Sequence, residues 1–240
     1  MFKTDTQTLT HPLYLLHEQS MDTNSNKKII YNKWSETYDT YVDSLNYSAP
    51  YNLVKMCLPL LTNYNKQNTT INTTINTTIN TTINTTINIL DFGCGTGLVG
   101  IELKKILLNT TLTGIDISEG MINECRKKNV YDKLFNIDIT ANKYSDNLID
   151  NIGDNPFDII ICCGVFLEGH LNVQIITDIL CKLLTTHGYI CFSIRDSYYK
   201  DNICFFNNIE NNHKINILKQ QQITYLDNID AWGFILEVRL

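Results

Sequence analysis

The run Ile87-Asn88-Ile89-Leu90-Asp91-Phe92-Gly93-Cys94-Gly95-Thr96-Gly97 constrains this chain more than any other. It reads as a short apolar strand, an acidic residue and glycines at alternate positions. A helical pattern of Leu98, Ile101, Glu102, Lys105 and Ile106 follows at once. A strand that turns into a helix on glycines sets bare backbone N–H groups against a ligand, since no Cβ blocks the tight turn or the close approach. The pattern is that of a loop built for a nucleotide-type cofactor.

Strand and helix patterns alternate after the loop. Thr111 to Ile117, Lys133 to Ile139, Phe157 to Cys163 and Gly188 to Ile194 read as strands, and Ser118 caps a helix running to about Lys128. Phe157 to Cys163 is apolar enough to be covered on both faces. Leu171 to Leu184 reads as a helix, and Ile215 to Leu226 and Trp232 to Leu240 as two further extended runs. This order predicts an α/β fold. Its core is a Rossmann-like open sheet of about seven strands, mostly parallel with an antiparallel C-terminal strand, with helices on both faces.

Upstream, residues 1–24 show no period and read as a flexible tail, leaving 25–240 as a single domain. Ile30, Trp34, Tyr38 and Tyr41 recur at helical steps, and Ser48-Ala49-Pro50 opens a second helix with Leu53, Cys57, Leu60 and Leu61 on one face. Residues 25–64 thus form a helical lid ahead of the glycine loop. Between them Asn-Thr-Thr-Ile repeats five times over 68–87, a low-complexity insertion expected to be largely mobile. Its Asn-Thr-Thr sequons are expected to stay unmodified without a secretory signal.

Composition narrows the function classes. A net charge of −6 and a pI near 5.3 disfavour broad nucleic-acid or anionic-membrane binding. No apolar run is long enough to span a bilayer, and the start of the chain does not read as a signal peptide. The eight cysteines include no CxxC pair and read as reduced, buried thiols of a cytoplasmic protein, with no metal site expected.

Two cofactors compete for the glycine loop. Gly95-Thr96-Gly97-Leu98-Val99-Gly100 also satisfies the dinucleotide pattern GxGxxG, and Asp116, nineteen residues after Gly97, suits a ribose in either reading. Asp91 decides between them: a carboxylate there repels a pyrophosphate but suits an ammonium, which S-adenosylmethionine carries. The single Tyr-x-x-x-Lys, Tyr51 to Lys55, precedes the loop, where a short-chain dehydrogenase would have it follow.

Asp91 to Gly97, Asp116 and the Asp138-Ile139 pair together resemble class I S-adenosylmethionine-dependent methyltransferases. More narrowly, Tyr31-Asn32-Lys33-Trp34-Ser35-Glu36-Thr37-Tyr38-Asp39 is similar to a Tyr-Asp-x-Trp-Ala-x-x-Tyr-Asp helix of the Williams-Beuren-region methyltransferase-like proteins. Tyr47-Ser48-Ala49-Pro50 and Gly93 to Val99 also look like that family. The likeness runs over about residues 28–195, interrupted by the repeat, and departs at Asn32, where the family pattern has Asp.

The resemblance implies a site. Gly93, Cys94, Gly95 and Gly97 would hold the methionine part with Asp91 near its ammonium, and Asp116 would bind ribose. Ile117 and Met121 would flank adenine, with Asp138 and Ile139 at its edge. Tyr31 and Trp34 would touch the cofactor from the lid, and Cys163 and Gly164 would line the pocket near the transferred methyl. Glu168 and His170, in the loop after the fourth strand, are the candidate bases. Arg195, Asp196 and Tyr198 are candidates to shape the acceptor site. No Asn/Asp-Pro-Pro-Tyr/Phe follows the fourth strand and no Pro-Cys pair occurs, which disfavours adenine amino groups, glutamine amides and cytosine C5 as acceptors. The expectation is a monomeric methyltransferase acting on a small molecule, or alternatively a silent cofactor-binding sensor or scaffold.

Overall fold

The computed structural model describes residues 12–70, 86–107, 109–138, 152, 156–209 and 214–239. Three helices lead the chain: α1 (Pro12–Met21), α2 (Lys27–Ser44) and α3 (Ala49–Thr70). Then follow β1 (Ile87–Phe92), α4 (Leu98–Lys104), β2 (Thr110–Asp116), α5 (Glu119–Lys128) and β3 (Lys133–Asn136). The remaining strands are β4 (Phe157–Phe166), β5 (Leu184–Arg195), β6 (Ile215–Leu226) and β7 (Ile229–Arg239).

The strands form one seven-stranded sheet in the order β3-β2-β1-β4-β5-β7-β6. β1 pairs in parallel with both β2 and β4, while β7 runs antiparallel between β5 and β6. The expected mostly parallel sheet with an antiparallel C-terminal strand is therefore present. The chain steps outward from β1 to β2 and β3, then returns to the other side at β4. Such a reversal opens a crevice at the carboxyl ends of the strands.

Side-chain alternation gives the sheet two apolar faces. Leu90, Phe92, Ile160, Phe192 and Phe234 face one way, where Phe206 from the helix Ile203–Ile209 stacks on Phe234 at 5.0 Å. Ile89, Ile161, Cys191 and Ile235 face the other, covered by Leu53, Cys57 and Leu61 of α3 and Val99 and Leu103 of α4. Each such fully buried side chain contributes about 1.5–3 kcal/mol relative to exposure. Seven of the eight thiols are buried, and Cys204 is exposed.

Two segments differ from expectation. Pro12–Met21 is a helix where the sequence shows no period, and it packs on α2 through His17, whose ring lies 5.9 Å from that of Trp34. Its contacts are tertiary and leave no periodic trace in so short a stretch. Leu171 to Leu184 is not one helix. A turn at Ile175–Asp178 and a 3-10 turn at Leu180–Leu183 lead directly into β5. Ile176, Leu180 and Leu183 still reach the core. Asn172 Oδ1 accepts from Gln174 N (2.9 Å), a local bond that competes with helical propagation. The repeat lies almost wholly outside the described residues, α3 entering it only as far as Thr70. Among the described residues no helix is long and apolar enough to cross a membrane.

Candidate active site

A cavity of about 380 Å³ opens at the carboxyl ends of β1, β2 and β4, a volume typical of small-molecule sites. Gly93 and Gly95 form its floor with φ of 76° and 52°, left-handed values that glycine adopts without strain. A Cβ on Gly95 would meet nothing within 4 Å, so the free space beside it belongs to the cavity. A Cβ on Gly97 would instead strike Cys125 Sγ at 2.8 Å, so that glycine serves the packing of α4 on its neighbours.

Asp116 ends β2 at the cavity wall. Its Oδ2 accepts from Gly95 N (2.9 Å) and its Oδ1 from Ser118 N (2.8 Å), so the carboxylate ties the glycine loop to the start of α5. Each oxygen keeps a further acceptor position. Burial raises its pKa, and the backbone bonds from Ser118 and Gly95 oppose that rise. Ile117, Met121 and Ile137 give the same side an apolar lining, with Asp138 beside them. Ile139 lies outside the described residues.

Across the cavity, β4 bulges between Cys162 and Phe166, where its register against β5 shifts. The bulge turns Cys163, Gly164 and Val165 inward. Gly164 has φ of 73°, and a Cβ there would meet the Tyr47 hydroxyl at 2.7 Å. Burial pushes the Cys163 thiol up to about 12, which keeps it protonated.

α2 lines the cavity with Tyr31 and Tyr38. His170 Nδ1 donates to the Glu168 carbonyl (3.1 Å), so Nε2 is left to accept from the Tyr31 hydroxyl at 2.8 Å. Burial lowers the His170 pKa to about 4, with Lys27 and Arg195 adding to the effect, so the ring is neutral at pH 7. Burial raises the Tyr31, Tyr38 and Tyr47 hydroxyls, which remain protonated.

Of the residues expected at the site, Tyr31, Gly93, Gly95, Asp116, Ile117, Met121, Asp138, Cys163, Gly164 and His170 line the cavity. Five do not. Trp34 is 2% exposed and packs among Tyr31, Tyr38, Tyr41 and His17, away from this cavity. Cys94 and Gly97 lie behind the loop against Cys125. Glu168 is exposed, and its carbonyl rather than its carboxylate serves the site. Asp91 is fully buried on the far side of β1 from Phe92, accepting from the Tyr131 hydroxyl at 2.5 Å. Its Oδ1 has no protein partner, and burial raises its pKa to about 7. Alternation along β1 sends Phe92 to the cavity and Asp91 beneath it.

Several residues escaped the sequence reading. Tyr38, Tyr47, Phe92 and Val165 line the cavity. Asn32 Oδ1 accepts from Ser118 Oγ (2.7 Å) and Gly120 N (2.9 Å), fastening α2 to the capped end of α5. Asp39 accepts from Thr96 Oγ1 (2.5 Å) and pairs with Lys128 (2.5 Å), fastening α2 to the glycine loop. Asn32, Tyr38, Asp39 and Tyr47 all lie in the family-like N-terminal runs, which was the available signal.

A family model described as a methyltransferase domain matches residues 89–187, from β1 into β5. No curated protein matches the chain. Among solved structures it is similar to a SAM-dependent methyltransferase from Anabaena variabilis, with 14% identity over 88% of this chain and 95% of that one (TM-score 0.54). It is also similar to the plantazolicin methyltransferase BpumL, solved with a desmethylPZN analog and SAH. Identity there is 14% over 97% of this chain and 100% of that one (TM-score 0.52). It aligns less well with TrmN from Thermus thermophilus (12% identity, TM-score 0.44), of which it spans 44% while 63% of this chain is covered. A methyltransferase-domain model thus matches the central segment of the chain, and the fold as a whole is similar to that of solved methyltransferases.

Proposed function

We propose that the protein transfers a methyl group from S-adenosylmethionine to a small-molecule acceptor. The observation that carries this reading is the cavity at the β1/β4 reversal, with Gly95 open to it on one side and the Asp116 carboxylate on its wall. These residues fit the cofactor. Asp116 retains acceptor positions for ribose hydroxyls, Ile117 and Met121 offer an apolar slot for adenine, and the space above Gly95 admits the methionine chain. Asp91, buried behind the loop and bonded to Tyr131, does not line this cavity. The narrower likeness to Williams-Beuren-region methyltransferase-like proteins rests on the Tyr31 to Asp39 helix and on Tyr47 to Pro50.

When bound, S-adenosylmethionine would supply an electrophilic methyl carbon on a sulfonium. The chain's own contribution is alignment and exclusion of water, which α2 provides through its two attachments, at Asn32 and at Asp39. His170 is a weak base with its Nε2 engaged by Tyr31, and Cys163 stays a thiol. The cavity therefore favours acceptors whose nucleophile is already deprotonated or is neutral at working pH.

Label transfer from methyl-labelled S-adenosylmethionine into a small-metabolite extract tests this. The reading expects one or few labelled products that vanish with Asp116→Ala. Cofactor binding without any labelled product would instead identify a silent binder.

A further inference from the structure

A second, smaller cavity of about 50 Å³ adjoins the first, sharing Tyr31, Tyr38, Tyr47 and Gly164 as a common wall. Its far side is closed by His17, Ser20 and Met21 of α1, and Arg195 projects into it from the end of β5. The Arg195 guanidinium lies 5.3 Å from the Tyr225 ring centroid, and its Nη1 faces Met21 Sδ at 3.6 Å. Its Nε is buried without a hydrogen-bond partner, and among the described residues no carboxylate pairs with it. The groups that feel its charge are His17, Tyr31, His170 and Tyr225. Burial keeps both histidines neutral and raises both tyrosine hydroxyls, which stay protonated, so none of these supplies an anion. A carboxylate close to His17, Glu18, is on the exposed side of α1.

A guanidinium is always charged and carries a planar fork of donors matched to a carboxylate. Leaving it half-buried without an anion is costly, and such a cost persists at functional sites. The chamber's volume admits a compact anionic group and not a whole metabolite. Its place is equally informative. Asp116 and Asp138 lie toward β2 and β3, whereas Arg195 ends β5, on the opposite side of β1 and β4. The ribose and adenine end of a cofactor is thus remote from it.

We infer that Arg195 is an anion subsite for the methyl acceptor, taking a carboxylate while the rest of the acceptor lies in the main cavity. This inference rests on the methyltransferase reading for its word "acceptor". Tyr31, Tyr38, Tyr47 and Gly164, which line both cavities, would then border the path from the anchored carboxylate to the reacting group of the acceptor on the cofactor side.

The test titrates the S-adenosylhomocysteine-saturated protein calorimetrically with benzoate and phenylacetate, their amides, and inorganic phosphate. The carboxylates are expected to bind at least about 10-fold more tightly than the amides, a preference that Arg195→Gln removes while S-adenosylhomocysteine affinity is unchanged. Equal binding of acids and amides overturns the inference, as does tighter binding of phosphate. A 10-fold loss of S-adenosylhomocysteine affinity in Arg195→Gln also overturns it, by assigning the arginine to the cofactor's own carboxylate. Failure of wild type to bind S-adenosylhomocysteine counts against the methyltransferase reading and is seen before any acid is added. One readout stands without any ligand. Arg195→Met keeps the stem and removes the unpaired charge, so it is expected to raise Tm by about 2–4 °C. A fall in Tm would show a structural arginine and overturn the inference.

Discussion

Tyr131 donates a hydrogen bond to Asp91 at 2.5 Å and accepts one from Gly100 N at 3.0 Å, so a single phenol joins the acid of the glycine motif to the first turn of α4. The motif's carboxylate is a structural element behind the loop, and its burial has a pH signature. Asp91 has a folded pKa of about 7 against 3.8 for the free side chain. Below about pH 4 it is protonated in both states, and the stability this represents is fully present. As pH rises toward 7 only the unfolded chain ionises, so stability falls. The fall is on the order of 2–4 kcal/mol from this residue. Asp91→Asn keeps an acceptor for Tyr131 and removes the titration. Urea unfolding at several pH values is expected to show a flatter profile for the variant. Parallel profiles would show that Asp91 does not carry the effect.

Asn32 makes a second prediction. Its side-chain oxygen accepts from both Ser118 Oγ and Gly120 N, a task a carboxylate performs equally well. Asn32→Asp, the residue of the family pattern, should stay within about 1 kcal/mol of wild type, and Asn32→Ala should cost about 1–3 kcal/mol. Faster amide exchange across residues 27–44 in the alanine variant would report the loosened α2. Unchanged exchange there would remove Asn32 from the attachment.

The glycines separate folding from binding. A Cβ on Gly100 would strike the Tyr131 ring at 2.5 Å, so Gly100→Ala is expected to destabilise by about 1–3 kcal/mol. Gly95→Ala meets open space and bears only the strain of its positive φ, about 1 kcal/mol. That variant should fold and still lose cofactor affinity, because its methyl occupies the cavity. Thermal unfolding and calorimetry on the pair check the contrast. Full cofactor affinity in Gly95→Ala would move the ligand elsewhere.

His170 predicts a pH profile. With a folded pKa of about 4 it is neutral throughout the working range and bonded to Tyr31. The methyl-transfer rate should therefore show no ionisation near 6.5 from this residue, and His170→Gln, which can still accept from Tyr31, should retain most activity. An inflection near pH 6.5 that His170→Gln abolishes would restore the histidine as the base.

The sequence showed what is local and little of what is not. The strand-loop-helix of β1 and α4, the cap at Ser118 and the aromatic period of α2 are written in adjacent residues and stand where expected. Asp91 read as a ligand contact because its charge is visible in sequence, whereas the alternation that turns it away from Phe92 is a property of the strand. Residues 171–184 read as a helix from apolar spacing alone. Pairing of β5 with β4 and β7 extends the strand back to Leu184 and overrides that pattern. The role of α1 and the convergence of Tyr47, Tyr225 and Arg195 depend on contacts between distant segments, and no spacing announces them.

S-adenosylmethionine is proposed to occupy the cavity over Gly95 and Asp116. The most direct test of this is calorimetric titration of wild type and Asp116→Ala with S-adenosylmethionine, S-adenosylhomocysteine and NAD. Binding of the first two and not of NAD is expected, with Asp116→Ala weaker by about 1–3 kcal/mol. Binding of NAD in their place, or equal affinity in Asp116→Ala, would contradict it.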